Sequence, residues 1–199
     1  MATSEQYIKA VRAIDLIYQN ETATELSAGI TYPKEYLYAR RMVEMLTKFY
    51  PQADEAQLLA ARCQHFCRWE IPRSSYPLDK KGYHTCRTFL YTYQAQKAAE
   101  ILLAAGYDDE TVERVRVMVS KQGIKVNADT QLIEDVICLV FIQYYVEEFS
   151  HKYADDIPKL FDIIQKTWRK MSDAGHAAVL QLPVKPELMD TLKAALSAE

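Results

Sequence analysis

A chain of 199 residues, 49% of them hydrophobic, is long enough to bury one sizeable core. With 24 basic against 27 acidic side chains and a net charge of −3, it carries no basic excess, which excludes bulk electrostatic capture of DNA or of an anionic membrane. The N-terminus carries Glu5 and Asp15 and does not read as a secretory signal, and no apolar run approaches the roughly 20 residues of a membrane span, so a cytoplasmic protein is expected.

Ser4 is placed to cap a first helix, on which Tyr7, Val11, Ile14, Ile17 and Tyr18 recur at helical spacing. The polar segment 20–32, with Gly29 in it, reads as a loop, and Pro33 suits the first turn of a helix to about Phe49. On that helix Glu35, Tyr38 and Arg41 recur every third residue and share a stripe. Pro51 ends it, and Asp54 caps the next helix, which runs to about Arg68 and delivers Gln64, His65 and Arg68 from its last turn. Gly82 closes the loop that follows, and a long helix then runs to about Ala105, stopped by Gly106. Asp108 caps a helix to about Lys121.

Beyond Gly123, a helix over about 130–153 is apolar almost all round at its centre, VICLVFIQYYV, and belongs in the middle of the domain. A helix over about 157–171 follows, then a shorter piece near 174–181. Pro186 opens a terminal helix expected to lie loosely on the body. Nothing alternates at period two. The expected fold is all-α, a single globular domain over residues 1–199 of about eight or nine helices.

The chemistry concentrates in residues 64–87, QHFCRWEIPRSSYPLDKKGYHTCR. A plain connector between helices is short and bland; this one mixes charge, aromatic rings and stiff backbone, as a loop does when it presents polar groups. Arg68, Arg73 and Arg87 offer planar forks suited to phosphate or carboxylate, and Trp69, Tyr76 and Tyr83 offer rings that stack on a base. Phosphate plus aromatic is the chemistry of a nucleotide site. Gln64 and His65, with Glu134 and Asp135 far downstream, supply an acid–base pair or, through His65 and Asp135, two ligands for a divalent metal; a His–Asp hydrogen bond inside a helical core is the plain alternative. Glu148 and His151 have the spacing of half a di-iron site without a second half, and KTWRKMS, with Lys166, walls the same pocket or covers the core. Cys63, Cys67, Cys86 and Cys138 read as reduced, packed thiols. Phosphate-loop, GxGxxG, HExxH and GxSxG motifs are missing from the sequence.

LYARRM, ARCQHFCRWEIPRSSYP, GYHTCR, QLIEDVICLVF and KTWRKMS together resemble an uncharacterised family, the domain of unknown function 4202, over most of residues 32–182. More remotely, the chain resembles the all-α HD-domain phosphohydrolase superfamily. Its order of ligands is a histidine on one helix, a His–Asp pair ending the next, and a later aspartate. Laid on this chain, these fall near Tyr38, on Gln64–His65 and on Asp135. Only Asp135 keeps the ligand type, which implies a pocket that has lost the standard metal centre. The resemblance implies binding of a phosphorylated metabolite or nucleotide, with hydrolysis or transfer at phosphorus. Arg68, Arg73 and Arg87 would hold the anion. His65 would act as general acid–base, surrounded by Gln64, Glu70 and Asp135, with Trp69, Tyr76, Tyr83, Arg41, Glu35, Glu134 and Lys166 around the ligand. The rival expectation is a non-catalytic module that senses a ligand or docks RNA or a protein. No cofactor or oligomeric state follows from the sequence.

Overall fold

The computed structural model describes residues 3–197. It is all-α, with ten α-helices among the described residues and one two-stranded hairpin. Backbone contacts gather into two compact units, Met1–Gly123 and Ile124–Glu199.

In the first unit, α1 (Glu5–Tyr18) starts where Ser4 accepts the Tyr7 amide, and it buries Ala10, Ile14 and Tyr18 at four-residue intervals. The segment expected as a loop is instead a hairpin, β1 (Thr24–Ser27) against β2 (Ile30–Pro33), with Ser27 opposite Ile30. Its turn is Ala28 (φ 50°) and Gly29 (φ 80°), both left-handed as a tight two-residue hairpin turn requires. Alanine at such a position is uncommon, and strands of four residues are too short to display alternation, so neither usual signal is present.

Next comes α2 (Lys34–Phe49); Pro33 sits just outside it rather than in its first turn. Asp54 and Gln57 form a reciprocal capping box for α3 (Glu55–Arg62), which packs on α2 and on α5. α3 stops at Arg62, short of the expected end at Arg68, because His65 (φ 63°) and Cys67 (φ 57°) turn left-handed. Two 3₁₀ turns, Arg68–Glu70 and Arg73–Ser75, lead to α4 (Lys80–Ala105). Asp79 caps α4, so Gly82 lies inside its first turn instead of closing the loop. Gly106 (φ 96°) terminates α4 in the left-handed region, and Asp108 caps α5 (Asp109–Val119). The core of this unit includes Ile14, Tyr18, Met42, Leu46, Leu59, Phe66, Leu102 and Met118, none of them exposed.

In the second unit, α6 (Ala128–Tyr144) and α7 (Val146–Lys152) replace the single long helix expected over 130–153. The break falls at Tyr145, whose φ of −126° leaves the helical region although no glycine or proline marks it. α8 (Ile157–Lys170), α9 (Asp173–Val179) and α10 (Pro186–Ser197) follow. α10 packs on α8 and buries Leu188, Leu192 and Ala195, and Gln165 donates to the Ala195 carbonyl at 2.8 Å. Met171, Ile133, Leu139 and Val140 are fully or almost fully buried. No helix among the described residues is long and apolar enough to cross a membrane.

Candidate functional site

The end of α3 is locked from below. Tyr18, 0% exposed, donates its hydroxyl to the Arg62 carbonyl at 2.7 Å, and Gln64 donates its amide to the Ala60 carbonyl at 3.2 Å. Phe66 and Trp69 both pack against the Tyr18 ring, at 5.3 and 5.7 Å. Between these anchors the chain turns left-handed twice, and this places the His65 ring against α2. A left-handed non-glycine residue costs on the order of 1–3 kcal/mol, a cost that persists where the surroundings over-determine it.

Glu35 and Tyr38, one turn apart on α2, meet that ring. Glu35 Oε2 lies 3.0 Å from His65 Nδ1, and the Tyr38 ring stacks on the imidazole at 4.3 Å and 11°. Arg68 Nη1 is 3.4 Å from both ring nitrogens at once. One atom in the ring plane cannot be equidistant from both without colliding with the carbon between them, so the guanidinium lies over the face. The carboxylate is positioned in turn by its own backbone: the Glu35 amide donates to Glu21 Oε2 at 2.6 Å, tying α2 to the residues just before the hairpin.

Burial alone would raise the Glu35 carboxyl, but the His65 hydrogen bond and the Arg68 and Lys34 charges outweigh it and hold it below its ordinary 4.5. Burial pushes the His65 imidazole below its ordinary 6.5, assisted by Arg68 and Lys121 and opposed by Glu35. At neutral pH the pair is therefore an ionised carboxylate and a neutral ring. The carboxylate can only accept, so Nδ1 carries the proton and Nε2 keeps the lone pair.

This state dictates a pH dependence. A folded imidazole below 6.5 binds its proton less readily than the unfolded chain does, so stability present above about 6.5 is lost as the pH falls through the folded value. Glu35 acts in the same sense below 4.5. The His65 ring proton followed by NMR is expected to titrate below 6.5. Its midpoint should move up in Arg68→Ala and further down in Glu35→Gln; a midpoint indifferent to both would dissolve the triad.

The remaining positions sort by what they touch. Arg41 forms an ion pair with Glu25 at 2.5 Å, fixing the hairpin to α2. Arg73 donates to the Tyr76 and Asp79 carbonyls at 3.0 and 3.3 Å, so its fork holds the loop's own backbone. Glu70 accepts the Tyr93 hydroxyl, which with burial pushes that phenol up to about 12. Tyr76 lies 6.5 Å from Phe89. Arg87 donates to the Tyr83 and Tyr91 hydroxyls, and Lys121 sits over the Tyr91 ring at 5.7 Å. Lys121, whose charge reaches His65, was not a candidate from sequence; a lysine just past a helix end carries no local signal.

In the second unit Asp135 is 2% exposed and fully engaged. Its Oδ1 accepts the Ser172 amide at 2.7 Å and the Gln131 amide at 3.0 Å, and its Oδ2 accepts the Ser172 hydroxyl at 2.5 Å. Within its own unit Asp135 thus clamps α6 to the cap of α9, and in the first unit His65 has Glu35 as its carboxylate partner. Glu134 is buried 3.7 Å from Lys170, and Lys166 pairs with Asp162 along α8. Among the described residues no group of three or more His, Cys, Asp or Glu side chains gathers as metal ligands do. Burial pushes the Cys63 and Cys67 thiols up to about 12, which keeps them protonated and inert.

One family model, described as Domain of unknown function (DUF4202), matches residues 8–192. No curated protein and no solved structure matches the chain.

Proposed function

We propose for this chain, which belongs to the DUF4202 family, that the His65 site binds a phosphate-bearing small molecule and deprotonates a nucleophile beside it. The observation that carries the reading is the Glu35–His65 pair at 3.0 Å with two cations, Arg68 and Lys121, close enough to depress the imidazole. Arg68 forms no salt bridge among the described residues, so its charge is available to an anion at the cost of its contact with the ring. Tyr38, at the place of the first histidine in the HD-domain likeness, touches His65, in keeping with a pocket of that ancestry whose metal ligands have been replaced.

In the reaction proposed, Nε2 takes a proton from water or a substrate hydroxyl as that oxygen attacks phosphorus. Glu35 stabilises the imidazolium that forms, and the proton passes to the leaving oxygen. Arg68 and Lys121 offset the charge that gathers on the phosphoryl oxygens.

The test is a thermal-shift titration with inorganic phosphate and a panel of nucleotides, followed by turnover assays on every hit. Ligands should raise the melting temperature of the wild type by mass action and lose that effect in Arg68→Ala. His65→Ala should keep binding while turnover falls by about 10²–10⁴-fold, the usual contribution of a general base. Binding without turnover in the wild type would leave a ligand sensor, and no shift with any phosphate would remove the proposal.

A further inference from the structure

The outward face of α4 is unlike an ordinary solvated helix surface, where charged side chains dominate. From His84 to Gln96 the exposed positions are His84 itself, three threonines, Phe89 and Gln96, and they line one open depression of about 750 Å³. Arg87, within the same stretch, is turned to the Tyr83 and Tyr91 hydroxyls. Phe89 remains 45% exposed, yet it is held in place by stacking on Tyr93 at 5.8 Å and by Tyr76 at 6.5 Å. A surface depleted of charge, with an ordered aromatic ring at its centre, is the composition of an interface core.

Charge returns only at the ends of this face, with Lys81 near the start of α4 and Glu100 toward its end. Both are exposed and without an ion pair among the described residues. Just beyond them stand two exposed leucines, Leu78 (86%) and Leu103 (50%). We infer that the occupant of this face is a second copy of the chain, packed α4 against α4 antiparallel about a two-fold axis. In such a pair every contact occurs twice and residues pair symmetrically about one point of the helix. Lys81 with Glu100 on the helix, and Leu103 with Leu78 in the turn just before it, are evenly spaced in sequence about the same point, between Leu90 and Tyr91. One register therefore satisfies the charges and covers the leucines together. In that register Phe89 meets Thr92 of the second copy and Thr85 meets its Gln96, so no like charges oppose each other. A slip of one turn breaks both outer pairs.

The experiment is analytical ultracentrifugation of the full chain across micromolar concentrations. The wild type should show a monomer–dimer equilibrium, and Phe89→Glu should be monomeric throughout while its circular dichroism spectrum stays that of the folded wild type. Glu100→Lys turns two attractive pairs into two repulsive ones and should weaken the dimer about tenfold, and adding Lys81→Glu should restore it. A wild type that is monomeric at every concentration overturns the inference. So does a dimer that ignores Phe89→Glu, or one that the charge swap fails to rescue.

Discussion

Replacing Gly82 with alanine is expected to cost about 3 kcal/mol, although alanine ordinarily favours a helix over glycine. Gly82 lies in the first turn of α4, where its amide donates to Asp79 Oδ1 at 2.7 Å. A Cβ added there would stand 2.2 Å from the Pro77 carbonyl oxygen and 2.9 Å from its carbon. Neither is the loose end of a side chain. To make room, the 77–79 turn must move, and with it the Asp79 cap and the Asp79 carbonyl that Arg73 holds. The two terms oppose each other, roughly 1 kcal/mol of helix propensity against a backbone collision of several times that, and the collision wins. For a chain of this size the melting temperature should fall by roughly 6–12 °C, as read by circular dichroism. An unchanged melt would mean that the loop yields freely and does not hold the 64–87 segment in place.

Asp135→Ala is expected to be comparably damaging, for an electrostatic reason. It removes the acceptor of the Ser172 amide, the Ser172 hydroxyl and the Gln131 amide from a place 2% exposed. Each buried donor left without a partner costs about 1–3 kcal/mol, so a total near 3 kcal/mol is expected after some readmission of water. Asp135→Asn keeps one acceptor oxygen but turns an N–H₂ toward donors, and should fall between that and the wild type. Gly175→Ala attacks the same contact from the other side, its Cβ meeting Asp135 Oδ1 at 2.7 Å. The decisive comparison is denaturant midpoint against phosphate binding. Lost stability with binding intact, measured well below the melt, confirms the clamp; lost binding at unchanged stability would return Asp135 to the site.

These two cases show what the sequence displays and what it hides. Helix starts were legible because a cap is a local event: Ser4, Asp54 and Asp108 each sit beside the amide they accept from, and Gly106 supplies the left-handed exit. The ends of α3 and α6 were not. His65 and Cys67 take up backbone angles that their side chains disfavour, which a propensity argument reads as continued helix. The break at Tyr145, at φ −126°, carries no glycine or proline, and the Ala28–Gly29 hairpin joins strands too short to show alternation. At the site, Glu35, His65 and Arg68 were visible as candidates on two separate stretches, and Tyr38 as a member of the Glu35 stripe. Their grouping was not, because it is set by how α3 packs on α2. That Glu35 meets His65 is likewise decided by tertiary packing, since a carboxylate on another helix carries no mark of its partner in one dimension.

The left-handed pair at the end of α3 also bears on how the protein breathes. Backbone held at 1–3 kcal/mol per residue above its relaxed state lowers the free energy of opening for the few residues around it. The turn hydrogen bonds there, Phe66 to Cys63 at 3.2 Å and Arg68 to His65 at 3.0 Å, are therefore the ones expected to open without global unfolding. When they do, the imidazole leaves Glu35 and Tyr38 together, while Ile14 and Leu59 stay buried. The imidazole would then switch between an engaged and a disengaged form on the timescale of local fluctuation, and any ligand that needs His65 in place would select the engaged form.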